Sequence, residues 1–269
     1  MSKHGHKIVT GVVIFLAIVA VSSILFFVLY GQQLIAYYQA RKLQRDFPEL
    51  AIMPHPLTDY SINPSEGMTL SRFGYEFELP WKDLSQTKDY RSMTTIFFKS
   101  GQAVVFWDPM QQPDSVQLMK QTAEKGGLDI REVFGDDAMS SNYKLREAVL
   151  NMTAQDVSPF MPRKDAIRSV IFLTFKPMHV LEKSAKTGFF SLHAPGLRGF
   201  QQGDPLRGAP FVLVTAFDEQ DHECELEIFV QKGSAAKITQ ADVNRIVLSL
   251  HRALASTSAK DSPGRNSVR

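Results

Sequence analysis

The longest apolar run in the chain lies near its beginning, from Ile8 to Tyr30, and it contains no charged residue. A helix rises about 1.5 Å per residue, so this run spans roughly 34 Å, a little more than the roughly 30 Å hydrocarbon core of a bilayer. A buried helix of a soluble domain would normally show a polar face, which this run lacks. The pattern therefore predicts a single-pass transmembrane helix over residues 8–30, after a short basic tail, residues 1–7.

A cleaved signal peptide is the competing interpretation, because Lys3 and Lys7 precede the run and small residues occur within residues 17–20. Signal peptides have apolar cores of about 7–15 residues, whereas this run continues to Leu29. We therefore expect an uncleaved signal-anchor with the lipid bilayer as partner through residues 8–30. Basic residues are nearly balanced on its two sides. We expect the following domain on the periplasmic or extracytoplasmic side, as in a bacterial envelope protein, with the cytoplasm as the alternative.

Residues 31–67 form the predicted connection between this helix and a domain. Residues 31–47 are rich in good helix formers, and Pro48 ends that pattern. The tyrosines and basic residues of this juxtamembrane helix either contact lipid headgroups or belong to a solvated stalk, and the sequence leaves both interpretations open. Prolines and a glycine between Met53 and Gly67 predict a linker.

Strands are predicted at the beginning of the domain, which we place at residues 68–254. Apolar and polar residues alternate from Phe73 to Leu79, as in a half-buried strand, and a polar loop follows. Two apolar runs, Met93 to Phe98 and Ala103 to Asp108, are joined by a turn that contains glycine, which predicts a hairpin. Because both runs are apolar on both faces, we expect the hairpin to lie centrally in a sheet.

Helical spacing is found in the middle of the chain. Residues 113–127 form one predicted helix, and a second begins after residue 140 or 141. Residues 162–175 fit two structures, because Pro162 and the charged residues after it favour a helix while residues 170–173 favour a strand. We predict a helix there.

The last third of the chain predicts further strands and a closing helix. The strands are expected at residues 188–193, 197–201, 209–217 and 222–230. In the last of them Glu223, Glu225 and Glu227 alternate with apolar residues, so one face is predicted to be solvated and the other to lie in the core. Thr239–Asp242 resembles a capping box before apolar residues at helical spacing, which predicts a closing helix. Residues 255–269 form a predicted disordered tail.

These elements predict an α+β fold class: a single amino-terminal transmembrane helix followed by one domain with a mainly antiparallel sheet packed against helices. The formal net charge of +2 comes from Lys3 and Lys7, so the rest of the chain is balanced. A balanced domain without a cluster of Lys or Arg is not expected to bind nucleic acid. The single cysteine, Cys224, excludes an intrachain disulfide and leaves the redox compartment open.

Candidate chemical groups are few and dispersed. His222 and Cys224 share one face of a predicted strand, but a metal site would need two further ligands, so we interpret Cys224 as a core thiol. A His-Glu-x-x-His helix and a Gly-x-Ser-x-Gly elbow are both missing from the sequence. We assign no catalytic, cofactor-binding or metal-binding residue. An alternative enzyme site would be assembled from four dispersed residues: Asp108, His179, His193 and Arg198.

Residues 194–208 have the most unusual local composition, with several glycines and two arginines, Arg198 and Arg207. Glycine-rich backbone beside arginine is suited to hold an anion, but the spacing of a phosphate-binding loop is missing. Turns and a bulge between strands are the simpler interpretation. Asp108 and His193 could form an acid–base pair, although Asp108-Pro109 is first of all typical of a turn.

The order of elements resembles the Mog1/PsbP-like α/β fold over about residues 68–254. The resemblance rests on an opening strand that ends in Pro80-Trp81, an early apolar hairpin, helices in the middle, later antiparallel strands and a terminal amphipathic helix with the sequence Val243–Leu250. It implies a binding or assembly factor, as most members of that superfamily act without catalysis. No functional residue is carried over, and the predicted membrane anchor departs from the soluble members.

Together these observations predict a non-catalytic domain, tethered to a membrane, that binds a partner protein or a small ligand at the membrane surface. The alternative is an envelope enzyme with the dispersed site described above.

Overall fold

The computed structural model describes residues 30–62, 64, 67–112, 116–118, 121, 129, 131, 134–181 and 187–253. The longer helices of these residues are α1 (residues 30–46), α2 (Asn142–Asn151), α3 (Arg163–Phe175) and α4 (Gln240–Leu248). The strands are β1 (His55–Pro56), β2 (Met68–Arg72), β3 (Tyr75–Leu79), β4 (Leu84–Asp89), β5 (Met93–Phe98), β6 (Gln102–Trp107), β7 (Phe189–Ala194), β8 (Leu197–Gln202), β9 (Phe211–Phe217), β10 (Glu223–Val230) and β11 (His251–Arg252). Short 3-10 turns occur at Pro48–Ala51, Pro109–Gln111, Ala138–Ser140, Ala154–Asp156, Lys176–Met178 and Pro205–Arg207.

The strands of the described residues form two sheets. The larger has eight strands in the order β1-β7-β8-β9-β10-β6-β5-β4, and the smaller has three in the order β11-β3-β2. Neighbouring strands are antiparallel, except that β1 runs parallel to β7. Strand β10 therefore lies between β9, its neighbour in sequence, and β6 from the first half of the chain. This pairing joins the two halves of the domain.

The larger sheet is the middle layer of the domain. One of its faces packs against the smaller sheet and α4, in a core that contains Phe77, Phe106, Leu226 and Ile246, each 0% exposed. The other face packs against α2, whose Tyr143 contacts aromatic rings of the sheet. Because successive strand residues point to opposite faces, β9 and β10 supply every second side chain to the first core and the remaining ones to the second face.

Helix α1 packs along the domain. Its inner face carries Ala36 and Ala40 at helical spacing, and Ala40 is 0% exposed in a cluster with Leu50 and Leu173. Tyr30 at its first described turn makes an edge-to-face contact with the ring of Phe160. A solvated stalk would expose the helix on all sides, so that interpretation of this segment is wrong.

The predicted fold class is corrected in its transmembrane part. Within the described residues, no helix has both the length and the apolar character needed to cross a bilayer. Helix α1 is too short, with 17 described residues, and its second half is charged, with Arg41, Lys42, Arg45 and Asp46. The predicted span, residues 8–30, lies outside the described residues apart from Tyr30. The structure is a mixed α/β domain with two sheets, where the sequence predicted a membrane helix and one mainly antiparallel sheet.

Several predicted elements are confirmed. The hairpin of β5 and β6 turns at Gly101, whose φ of +102° favours glycine, and β6 is buried along almost its whole length. Residues 163–175 are helical, as predicted over the competing strand. The closing helix α4 begins with a capping box, in which the Thr239 hydroxyl accepts from the Asp242 N–H and the Asp242 carboxylate accepts from the Thr239 N–H.

At the start of the domain one prediction is confirmed in part and another is wrong. The alternating segment from Phe73 to Leu79 forms the half-buried strand β3 from Tyr75 onwards, whereas Phe73 and Gly74 adopt positive φ and turn the chain between β2 and β3. The polar segment after it contains a strand, β4, which pairs with β5. Its side chains are almost all exposed, so it has no apolar alternation from which to be predicted.

Other predictions concern residues that the structure does not describe. Of the predicted helix at residues 113–127, only residues 116–118 and 121 are described, and these are helical. The predicted tails, residues 1–7 and 255–269, lie outside the described residues, so the membrane partner and the localisation stay predictions.

Candidate functional site

A cavity of about 460 Å³ lies on the second face of the larger sheet. Its floor is formed by β9 and β10, one wall by α2, and the other by the end of α3 and the segment that follows it. The described residues that line it are Gln112, Leu118, Arg146, Phe175, Pro177, Met178, His179, Val180, Leu181, Leu213, Thr215, Glu223 and Glu225. Most of this lining is apolar, and the charged groups are concentrated at the floor.

The floor follows directly from the alternation in β10. Glu223, Glu225 and Glu227 all point to this face, since Cys224, Leu226 and Ile228 are in the core on the other side. The sequence predicted that this face is solvated. The prediction correctly places the three carboxylates together on one face of the strand. It does not include the helices and loops that partly cover this face.

Two of these three carboxylates have partners. Nη2 of Arg146 donates to both oxygens of Glu223 at 2.8 Å, and both side chains are about one-tenth exposed. The indole N–H of Trp107 donates to Glu227 at 3.0 Å. Charge-assisted bonds of this length are strong, so Glu223 holds the Arg146 side chain in place at the cavity.

Glu225 has a different environment. No hydrogen bond to its carboxylate is made by the residues that the structure describes. Burial raises the pKa of Glu225 to about 7, and the neighbouring charges of Glu223 and Glu227 raise it further while Arg146 opposes them. The carboxyl group therefore changes its charge near neutral pH.

The wall opposite α2 is held by the side-chain amide of Gln202. Its Nε2 donates to the carbonyl of His179 at 2.8 Å, and its Oε1 accepts from the N–H of Leu181 at 2.7 Å. These two bonds fix the segment that places Val180 and Leu181 over the cavity. Burial lowers the pKa of His179 to about 3, with the charge of Arg146 as a second cause, so this imidazole is neutral at physiological pH.

The same wall is anchored by a buried lysine. Lys176 is 0% exposed, and its ammonium donates to the carbonyl oxygens of Leu50 at 3.1 Å and Met152 at 2.7 Å. Burial lowers its pKa to about 8, and Asp156 acts in the opposite direction. Lys176 therefore joins the end of α3 to the turn that follows α1.

The four residues of the predicted enzyme site do not come together. His193 and Arg198 are opposite each other in β7 and β8, while His179 lies in the cavity wall. Asp108 caps the turn Pro109–Gln111, where it accepts from the N–H of Met110 at 3.0 Å. The interpretation of Asp108 as a turn residue is thus confirmed.

His193 and Arg198 instead surround one buried tyrosine. The Tyr143 hydroxyl donates to Glu147 at 2.9 Å and lies 3.1 Å from Nε2 of His193, and the guanidinium of Arg198 is 4.5 Å from the centre of its ring. Burial raises the pKa of Tyr143. At 2% exposure the ring belongs to the packing of α2 on the sheet.

A second polar cluster closes the β9–β10 hairpin. Asp218 accepts from the Tyr75 hydroxyl at 2.6 Å and from Nε of Arg252 at 3.1 Å, and Nδ1 of His222 is 3.3 Å from it. These bonds fasten the smaller sheet to the hairpin. Cys224 beside them is 1% exposed, and burial raises its pKa to about 12, which agrees with the prediction of a core thiol.

The glycine-rich run at residues 194–208 contains turns, as predicted. Pro195 and Gly196 turn the chain between β7 and β8, and Arg207 pairs with Asp204 in the following 3-10 turn. In the described part of the chain, no group of three or more His, Cys, Asp and Glu side chains is arranged to hold a metal ion.

Sequence reasoning missed the enclosure of the site. The three glutamates were visible as an alternating pattern, but Arg146 had no signal because it lies 77 residues before its partner Glu223.

Comparison with known proteins gives no relative from which a role could be transferred: no family model, no curated protein and no solved structure matches the chain. The resemblance to the Mog1/PsbP-like fold therefore stays a prediction.

Proposed function

We propose that this domain is a non-catalytic binding domain that takes up a small, mainly apolar ligand in the cavity between α2 and the β9–β10 floor. The observation that carries the proposal is the cavity of about 460 Å³ with its mainly apolar walls. Ligand sites in proteins commonly have about 300–1,000 Å³, and they combine apolar walls with a few polar groups that orient the ligand.

The walls supply the affinity in this proposal. Leu118, Met178 and Leu181 are 53%, 74% and 38% exposed, although each borders the cavity. A ligand that covers such side chains gains about 25 cal/mol per Å² of apolar surface removed from water. Exposed apolar side chains that surround a concave site are typical of a binding surface.

The polar groups of the cavity favour binding over catalysis. Arg146 and Glu223 neutralise each other, and His179 has a pKa of about 3, too low for proton transfer near neutral pH. The described lining contains no serine, cysteine or lysine as a nucleophile. Among the described lining residues Glu225 alone has a pKa shifted to about 7, and one carboxyl group without a second reacting group in this described lining supports binding better than chemistry.

The proposal is tested with N-phenyl-1-naphthylamine, a neutral dye whose fluorescence rises in apolar surroundings. We expect saturable binding with one dye per chain. Leu213→Trp fills the floor of the cavity, and Leu181→Asp places a charge in its wall, so each should weaken dye binding at least tenfold. This corresponds to about 1.4 kcal/mol, less than the burial of one leucine side chain contributes.

Leu206→Trp is the matched control, because Leu206 is 79% exposed and does not line the cavity. It should leave dye binding unchanged. Leu181 is 38% exposed, so its substitution is expected to leave the fold intact, which urea denaturation would check. Dye binding that is not saturable, or that is equal in all four proteins, would contradict the proposal.

A further inference from the structure

We propose that the ligand carries an organic cation, such as a protonated amine on an apolar body, and that this cation pairs with the carboxylate of Glu225. This inference rests on the proposed function and adds the chemical class of the ligand. The inference is based on the charge at the cavity floor and on the apolar walls above this floor.

The floor has more negative than positive charge. Glu223, Glu225 and Glu227 lie in a row on β10, and Arg146 of α2 is the one cation that lines the cavity in the described residues. Arg146 makes both of its short bonds to Glu223, and the partner of Glu227 is a neutral indole N–H. Glu225 is therefore the carboxylate that a ligand can neutralise.

Among the residues that the structure describes, the groups around Glu225 do not supply a second cation. From β9 it faces Leu213 and Thr215, and the segment after α3 contributes His179, which is neutral because its pKa is about 3. The pKa of Glu225, raised to about 7 chiefly by burial, agrees with a carboxylate whose partner is missing from the described chain. A bound cation would lower this pKa.

An organic cation fits this floor better than a metal ion. Glu223 is bonded to Arg146 and Glu227 to Trp107, and in the described residues no group of three or more His, Cys, Asp and Glu side chains is arranged to hold a metal ion. The remaining walls are side chains such as Phe175, Val180 and Leu213, which offer no oxygen ligands. An amine needs only one carboxylate, and its apolar body matches these walls.

The test compares three ligands of equal chain length, octylamine, octan-1-ol and octanoate, by isothermal titration calorimetry at pH 8. We expect octylamine to bind about tenfold more tightly than octan-1-ol, and octanoate to bind least tightly, because a charge-assisted hydrogen bond is stronger than a neutral one. Glu225→Gln should remove the preference for the amine and leave the affinity for octan-1-ol unchanged. Glu219→Gln, an exposed glutamate in the β9–β10 turn, is the control and should change neither.

A second measurement needs no variant. An alkylamine stays protonated from pH 5 to pH 8, as a lysine side chain does, whereas Glu225 with its pKa of about 7 loses its charge as the pH falls. The preference of the wild-type chain for octylamine over octan-1-ol should therefore fall from about tenfold at pH 8 towards equality at pH 5.

The outcomes separate the two proposals. If octan-1-ol and octylamine bind equally at pH 8, or if Glu225→Gln still prefers octylamine, the proposed pairing of a ligand cation with Glu225 is wrong, while the cavity remains a ligand site. If none of the three ligands binds, the proposed function itself is wrong. A preference for octanoate would assign the ligand the opposite charge and overturn this inference alone.

Discussion

Arg146 is the residue whose removal tests the site most severely, because it is the cation that pairs with Glu223 and opposes the negative charge of the neighbouring Glu225. In Arg146→Met a side chain of similar length keeps the packing of α2 but leaves Glu223 buried without its partner. Breaking a buried ion pair costs about 3–5 kcal/mol, mainly because one charge remains uncompensated. Since the two side chains are 9% and 11% exposed, we expect a loss near the lower limit, about 3 kcal/mol in the free energy of unfolding at pH 8.

The loss should depend on pH in a known direction. Without Arg146, the pKa of Glu225, already raised from its ordinary value of 4.5 to about 7, should rise further. A carboxyl group with a raised pKa binds more protons in the folded state, so stability falls as the pH rises from the unfolded value through the folded one. The destabilisation by Arg146→Met should therefore be smaller at pH 5 than at pH 8.

Urea denaturation of the purified chain measures these differences, with Arg207→Met as the control. Arg207 also pairs with an acidic residue, Asp204, but its side chain is 68% exposed, so its loss should change stability by about 0.5 kcal/mol or less. Adding Glu223→Gln to Arg146→Met removes the unpaired charge and should restore about 2 kcal/mol. A loss below about 1 kcal/mol at pH 8, or one that neither acid nor Glu223→Gln relieves, would refute the assigned role of the pair.

Two further predictions concern the supports of the cavity wall. Lys176 has a folded-state pKa of about 8, below its ordinary value of 10.5, so the unfolded state binds more protons between these two pH values. The stability of the wild-type chain relative to Lys176→Met should therefore rise from pH 8 to pH 10.5, and a constant difference in urea midpoints would contradict the buried ammonium. Ala40→Glu places a charge at a 0% exposed position of α1, and an unpaired buried charge is costly. In this variant α1 should become sensitive to limited proteolysis while α4 stays protected. Equal protection of α1 in the wild-type chain and in Ala40→Glu would argue against the packing of α1 on the domain.

Local patterns in the sequence predicted much of the secondary structure. The period-two alternation of β10 and the capping box of α4 depend only on neighbouring residues, so the sequence alone was sufficient for them. Strand β4 could not be predicted in this way, because its exposed polar side chains carry no periodic signal and only its pairing with β5 makes it a strand.

The site depends on distant pairings that the sequence does not show. Arg146 meets Glu223 because α2 packs on the sheet, and Gln202 of β8 positions the segment around Val180 through two hydrogen bonds. The burial of Lys176 could not be predicted either, because lysine side chains are mostly exposed and nothing in the local sequence marks this one as different. The membrane helix was predicted from the length of the uncharged apolar run at residues 8–30, and this run lies outside the described residues apart from Tyr30.

The short strand β1 has a consequence for how molecules of this protein behave towards one another. A sheet that ends in an unpaired strand offers its backbone to strands of other molecules, and this is a common origin of aggregation. At one end of the larger sheet β1 covers β7 with only His55 and Pro56, and a proline has no N–H to donate to an incoming strand. At the other end, β4 carries a bulge between Leu84 and Gln86. Growth of the sheet from molecule to molecule is thus opposed at both ends, which favours a protein that stays dispersed at high concentration.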